Sequence, residues 1–286
     1  MDGLILQSAT RAQLERFIAY PSHALLLTGQ SGIGKTAIAE ALATALLGAN
    51  LASYPYHLKI CQNGQSISIE AIRELQKFLL LKTTGDRPLR RTILIEQAHT
   101  MTTEAQNAFL KLLEEPPADT LLILTATSAR GLLPTILSRT QHITIKPPSE
   151  ADLHSLLEQS KKNTDATRQA YLLSNGLPGL LTALLSDEDE HSLVANINLA
   201  KDALQKQPFQ RLVMVDTLSK QKEAALGFVE AVERIAQTAL AAAAAKADVP
   251  RIKQWHKIRK SALQARSALL QSANAKLTLD NFFLSL

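Results

Sequence analysis

The sequence predicts an α/β domain, a parallel sheet held between helices, followed by a chain that is helical to its end. Three observations predict it. Apolar runs at Ala24–Thr28, Thr92–Ile95, Leu121–Thr125 and Ile143–Ile145 read as buried strands, because parallel strands covered on both faces are continuously apolar rather than alternating. Helical patterns separate these runs, which is the alternation of a three-layer α/β domain. After Pro147 and Pro148 the strand runs stop, and from about residue 187 everything reads as helix.

The elements follow in order. Leu14, Phe17 and Ile18 lie at i, i+3 and i+4, one face of a helix over residues 8–19. The strand Ala24–Thr28 runs into a glycine-rich loop and a helix that ends near Gly48. Thr103 and Gln106 form a capping box before the apolar face Ala105, Ala108, Phe109, Leu112 and Leu113. That helix stops at Glu115, since Pro116 and Pro117 cannot continue it. Residues 149–186 read as a small helical unit broken at Asn175-Gly176-Leu177-Pro178-Gly179, and the alanine run 239–245 reads as strong helix former.

Bulk composition narrows the setting. Hydrophobic residues make up 46% of 286, enough to build packed cores, and this argues against disorder. A single cysteine, Cys61, excludes a disulfide or a thiolate zinc cluster. Asp2, Arg11, Glu15 and Arg16 do not fit a signal peptide, and no apolar run is long enough to span a membrane, so a cytoplasmic protein is expected. A net charge of +5 permits a polyanionic partner without requiring one.

The glycine-rich loop is Gly29, Gln30, Ser31, Gly32, Ile33, Gly34, Lys35 and Thr36, which fits G-x-x-x-x-G-K-[ST] between a strand and a helix. Its glycines let backbone N–H groups turn toward phosphate oxygens, and the helix N-terminus adds a favourable field. Lys35 brings charge to the β and γ phosphates, and the Thr36 hydroxyl is a ligand for Mg²⁺. ATP or ADP is the expected ligand. The strand Thr92–Ile95 ends in Glu96 and Gln97, where P-loop ATPases usually carry Asp and then Glu. Glu96 keeps the charge for magnesium, directly or through a water, with about 1.5 Å more reach. Gln97 hydrogen-bonds a water but does not take its proton. Loss of a positioned base costs roughly 10²–10⁴-fold in rate. Little intrinsic hydrolysis is therefore expected.

The stretch "TMTTEAQNAFLKLLEEPPADTLLILTAT" and the following "LPTILSRT" resemble the clamp-loader subunits of bacterial DNA polymerase III. The segments "ISIEAIRELQKFLLLK" and "NAKLTLDNFFLSL" fit the same family, so the resemblance runs from the phosphate loop to the C-terminus. It implies an AAA+ architecture: a nucleotide-binding α/β domain at 1–146, a helical lid at 147–186 and a helical oligomerisation collar at 187–286. It also implies partners: gamma/tau and delta subunits in a hetero-pentamer, the sliding clamp, and the backbone of primer-template DNA. Among the subunit types the residues favour delta-prime. Gln97 stands where the family has its catalytic Glu, and Glu96 departs from Asp. The lid motif Gly176-Leu177-Pro178-Gly179 has no sensor Arg, and no tau-like extension follows. The intact phosphate loop favours the alternative, an ATP-hydrolysing gamma/tau-like motor. A third reading is an AAA+ ATPase of another DNA process. The family's zinc module is absent, since Gly48–Lys59 leaves no room for it.

The resemblance assigns further roles. Thr127 falls at the sensor of the γ-phosphate, the plain alternative being a hydroxyl satisfied at the strand end. Arg139, in Ser138-Arg139-Thr140, falls at the arginine that reaches a neighbouring subunit's ATP site, the plain alternative being a surface salt bridge. Arg73 and Lys111 are candidates for contact with DNA phosphates; Lys77 shares the face of Arg73. Glu70 and Glu74 sit three residues before Arg73 and Lys77, which leaves ordinary solvated pairs open. The seven basic residues within 246–266 read as a solvated or subunit-facing surface.

Overall fold

The computed structural model describes residues 4–62, 66–149, 164–186 and 192–286. These fall into two units: the residues up to 149 together with Gly176–Gly179, and the remainder.

The first unit is built on five parallel strands, β1 (Ala24–Thr28), β2 (His57–Ile60), β3 (Arg91–Ile95), β4 (Thr120–Ala126) and β5 (Gln141–Thr144), in the order β2-β3-β4-β1-β5. Every residue of β1, β3 and β4 is buried, as their apolar runs require. The edge strand β2 was not expected, because "HLKI" has one buried residue and no apolar run. What makes it a strand is pairing in register with β3, from His57 opposite Thr92 to Ile60 opposite Ile95. The other edge, β5, starts two residues earlier than expected, because Gln141 pairs with Leu25.

Helices cover both faces. Alternate residues of the strands, Leu26, Ile93, Ile95, Leu122 and Leu124, pack with α3 (Ile69–Leu79), α4 (Thr103–Glu114) and the single turn α5 (Pro134–Leu137). On the other face α2 (Lys35–Leu47) lies against β1, β3 and β4, and α1 (Ser8–Ala19) against α2 and β5. Leu14 and Phe17 of α1 are fully buried, the face predicted from their spacing. Helix α2 ends at Gly48 with φ +60°, the left-handed cap that glycine adopts without strain.

The predicted capping box at α4 is replaced by a different arrangement. Thr102 is the cap and accepts from the Ala105 N–H at 3.2 Å. Gln106 is buried and its amide donates to the carbonyls of Met101 (3.2 Å) and Gly131 (2.9 Å) and accepts from the Leu133 N–H (2.8 Å). It thus ties α4 to the segment leading into α5. The stop at Glu115 is as expected.

Arg91, the first residue of β3, is 2% exposed. Its guanidinium donates to the Leu79 carbonyl at 2.7 Å and to that of Leu81, and lies 5.5 Å from the centre of the Phe78 ring. A buried cation is tolerated here because it answers the open carbonyls at the end of α3.

The second unit is helical throughout its described residues: α6 (Thr164–Ser174), α7 (Pro178–Ser186, from Leu180 onward), α8 (Ser192–Gln205), α9 (Pro208–Leu218), α10 (Lys222–Ala245), α11 (Val249–Leu270) and α12 (Ala275–Ser285). The long helices α10 and α11 pack along each other, joined by Arg266 and Glu233 at 2.8 Å. Phe228 of α10 meets Phe282 and Phe283 of α12 in the core. Arg234 donates to the Ser174 carbonyl at 3.0 Å, capping the end of α6. The basic stretch falls on α11, where Lys253, Lys257 and Lys260 are exposed. No helix among the described residues is long and apolar enough to cross a membrane.

Candidate nucleotide site

Parallel strands place their C-terminal ends along one edge of the sheet, and ligands of such folds bind outside those ends. Here β1, β3 and β4 deliver the phosphate loop, Glu96-Gln97 and Thr127 to that edge.

The loop is anchored before it turns. The Gly29 N–H donates to the Ala126 carbonyl at 3.3 Å, and Ile33 is a buried peg, 3% exposed. Gly32 and Gly34 have φ of +84° and +94°, left-handed values that permit the turn into α2. Gln30 and Ser31 are exposed at the outer bend. Gly179, which belongs to the same unit, comes so close that a β-carbon there would meet the Gly34 nitrogen at 2.7 Å and the Gly32 oxygen at 2.8 Å. No side chain fits at that position without moving loop backbone.

Lys35 donates to the carbonyls of Gly29 (2.7 Å) and Gln30 (3.0 Å), so its ammonium lies across the loop. Burial lowers its pKa to about 8. A phosphate at the loop favours the charged form, so the bound state keeps a proton that the free state loses above pH 8. Affinity for ADP is therefore expected to be flat below pH 8 and to fall about tenfold per unit above it. Calorimetric titration of ADP from pH 7 to 9.5 checks this, and a flat profile to pH 9.5 would contradict it.

Glu96 follows β3, its N–H donating to the Ile60 carbonyl at 2.8 Å. The Thr36 hydroxyl donates to Glu96 Oε1 at 2.6 Å, so the two residues expected at the metal are together. Two unexpected neighbours come from the end of β2. Lys59 Nζ lies 3.2 Å from Glu96 Oε1 and 3.2 Å from Glu40 Oε1, and the Cys61 thiol donates to Glu96 Oε2 at 3.0 Å. Burial alone would push the Glu96 carboxyl up, but the bonds from Cys61 and Thr36 and the Lys59 charge hold it below the usual range. Burial, reinforced by the bond to Glu96, raises the Cys61 thiol to about 11, so this cysteine is not a reactive thiolate. Reading the sequence missed Lys59 because only the β2–β3 register brings it to Glu96.

Gln97 adopts a left-handed backbone, φ +50°, that turns its exposed side chain out at the strand end. Its N–H donates to Thr125 Oγ1 at 3.1 Å, which stabilises this uncommon conformation. Thr127 is exposed, and its hydroxyl lies 3.2 Å from His99 Nε2. His99 was also missed. Burial and the Lys35 charge lower its pKa, which keeps the ring neutral. The signal was its place two residues after Gln97 in "EQAHTM".

Arg139 is not part of this cluster's hydrogen bonding. It follows α5 and pairs with Glu114 at 2.9 Å, with a further bond to the Thr135 carbonyl at 3.1 Å. Arg73 lies 4.0 Å from Glu70 with both side chains well exposed, and Lys111 is exposed in the last turn of α4.

Residues 19–149, the sheet and its phosphate loop, match the family described as "DNA polymerase III, delta subunit". Over these residues the chain is similar to that family. The chain is 33% identical over 181 residues to the DNA polymerase III subunit delta' of Pseudomonas aeruginosa, covering 56% of this chain and 55% of that one. It is 32% identical over 154 residues to subunit gamma of Buchnera aphidicola, covering 49% and 42%. The chain thus spans about half the length of the curated relatives it matches. A solved gamma subunit-related protein of DNA polymerase III from Thermotoga maritima superposes with a TM-score of 0.59 at 20% identity, covering 96% of this chain and 97% of that one. At that identity the likeness concerns the fold alone, a parallel α/β sheet between helices followed by further helices.

Proposed function

We propose that this chain is a delta-prime-like subunit of a cytoplasmic sliding-clamp loader, holding ATP or ADP with little or no hydrolysis of its own. The observation that carries the reading is Gln97 beside an intact phosphate loop. Backbone N–H groups of Gly32–Thr36 and the Lys35 ammonium are suited to the phosphates of a nucleotide. The exposed Gln97 amide orients a water but has no basic lone pair with which to deprotonate it. Residues 1–146 then form the nucleotide domain, 147–186 a lid and 187–286 a collar. Exposed apolar side chains on α9 and α12, among them Phe209, Val213, Leu277 and Leu284, suit a collar that is covered by neighbours in an assembly.

In this reading the partners are gamma/tau and delta subunits in a hetero-pentamer, the clamp, and primer-template DNA. Arg139 completes the ATP site of an adjoining subunit. The complete phosphate loop, and the similarity to a gamma subunit, favour a second reading as a hydrolysing motor subunit. The two separate on assembly: mixed with purified delta and gamma subunits, a delta-prime-like chain enters one copy per complex by native mass spectrometry. Several copies per complex support the motor reading, and failure to join any complex overturns both.

Arg73 and Lys111 are proposed to touch DNA phosphates in the assembled loader. Replacing either with alanine is expected to weaken DNA binding for all sequences alike and to reduce the slope of log affinity against log salt by about 1. An unchanged slope would return both to solvated surface, where Arg73 already has Glu70 for company.

A further inference from the structure

The phosphate loop of this fold is expected to hold its nucleotide together with a magnesium ion, and the residues at hand test that expectation. In type the donors are right: a hydroxyl, Thr36, and a carboxylate, Glu96, at 2.6 Å from each other. In charge they are not. Glu96 Oε1 already accepts from Thr36 and is ion-paired with the Lys59 ammonium at 3.2 Å, and Oε2 accepts from the Cys61 thiol. Both oxygens are thus engaged before any of the ordered waters that magnesium keeps around it are placed. The ammonium itself opposes a second cation next to it. As they stand, these residues do not fit a divalent ion.

We infer that the Lys59 ammonium takes the place of magnesium at this phosphate loop, so that the chain holds a nucleoside di- or triphosphate without a divalent cation. The inference rests on the nucleotide-binding reading above. Lys59 is well placed for the task. It stands at the end of edge strand β2, one residue before Ile60, whose carbonyl accepts the Glu96 N–H at 2.8 Å. It is braced from two sides, by Glu96 and by Glu40 of α2, each at 3.2 Å. Glu40 lies one helical turn beyond Thr36, so the lysine spans from the strand end to the helix that carries the loop. Glu96 in place of the usual Asp serves the same arrangement, since the longer side chain reaches the Thr36 hydroxyl while still meeting Lys59. A monovalent, immobile cation neutralises phosphate charge but does not polarise a leaving group as a divalent ion does. This accords with a nucleotide that is held rather than cut.

The test is calorimetric titration of ADP and of ATPγS into the whole chain, with magnesium and with EDTA, for the native protein, Lys59→Ala and Lys59→Arg. Mn²⁺ serves as a second probe, its free signal followed by electron paramagnetic resonance with ADP present. Lys59 is exposed at a strand edge, so the variants are expected to fold, which circular dichroism checks. Native affinity is expected to change less than about twofold on removing magnesium. Lys59→Ala is expected to bind about tenfold more weakly in EDTA, to recover with magnesium, and to take up one Mn²⁺ per nucleotide. Lys59→Arg should behave like the native protein. Native binding that needs magnesium would overturn the inference and leave the nucleotide site standing, as would a Lys59→Ala protein as indifferent to magnesium as the native one. No binding of either nucleotide under any condition would overturn the nucleotide site itself.

Discussion

Replacing Arg139 with alanine is expected to slow ATP hydrolysis at one adjoining site of an assembled loader by about 10³–10⁵-fold, the range an arginine finger contributes. The residue is free to play this part because nothing in its own unit depends heavily on it. It sits on the turn after α5, about a third exposed, and its ion pair with Glu114 is a surface contact at 2.9 Å. Such pairs contribute about 0–1 kcal/mol, so exchanging Glu114 for a phosphoryl group costs little. The expected phenotype is selective. Folding, nucleotide binding and assembly remain, while DNA- and clamp-stimulated ATPase of the complex falls by the share of that one site. Arg139→Lys should rescue poorly, because an ammonium lacks the guanidinium's paired donors. The measurement is stimulated ATPase and clamp loading by a reconstituted complex, with gel filtration as the assembly control. Normal activity in a fully assembled Arg139→Ala complex would reduce Arg139 to the partner of Glu114.

The second large effect is on stability. Arg91→Ala is expected to destabilise the first unit by about 3–5 kcal/mol, since hydrogen bonds from a charged donor contribute about 1.5–3 kcal/mol each and two carbonyls lose theirs. Those carbonyls, Leu79 and Leu81, close the end of α3, and the contact with the Phe78 ring goes with them. Arg91→Met keeps the packing of the stem and should recover part of the loss. Urea unfolding of the whole chain, with hydrogen exchange followed at residues 78–82, separates a local from a global effect. A loss below about 1 kcal/mol would mean that water replaces the guanidinium at no cost.

What could be read from the sequence divides along physical lines. The central strands, α1, the phosphate loop and the stop of α4 were legible because each is written in contiguous residues: an apolar run, a helical stripe, a glycine spacing, a proline pair. Strand β2 was not, because an edge strand with one buried residue has no pattern of its own and exists by pairing with β3. The cap at Thr102 was misread as Thr103, since both are threonines and only the role of Gln106, turned inward to Met101, Gly131 and Leu133, distinguishes them. Arg91 reads as the polar end of a strand until the end of α3 is laid over it. At the site, Thr36 and Glu96 were foreseeable from motif positions. Lys59 and Cys61 were not, because their link to Glu96 depends on strand register across more than thirty residues. His99 beside Thr127 was missed although it stands in the same short segment as Gln97.

This phosphate loop is expected to hold a nucleotide without cutting it, and single-turnover chemistry on the isolated chain decides the matter. Radiolabelled ATP is bound to excess protein and the bound nucleotide is identified over time, for the native chain, Gln97→Glu and Lys35→Ala. Native protein is expected to retain intact ATP, Lys35→Ala to fail to retain it, and a carboxylate restored at 97 to move cleavage upward within the roughly 10²–10⁴-fold range of a general base. Prompt conversion of bound ATP to ADP by the native chain, abolished by Lys35→Ala, would contradict it and make this chain a motor.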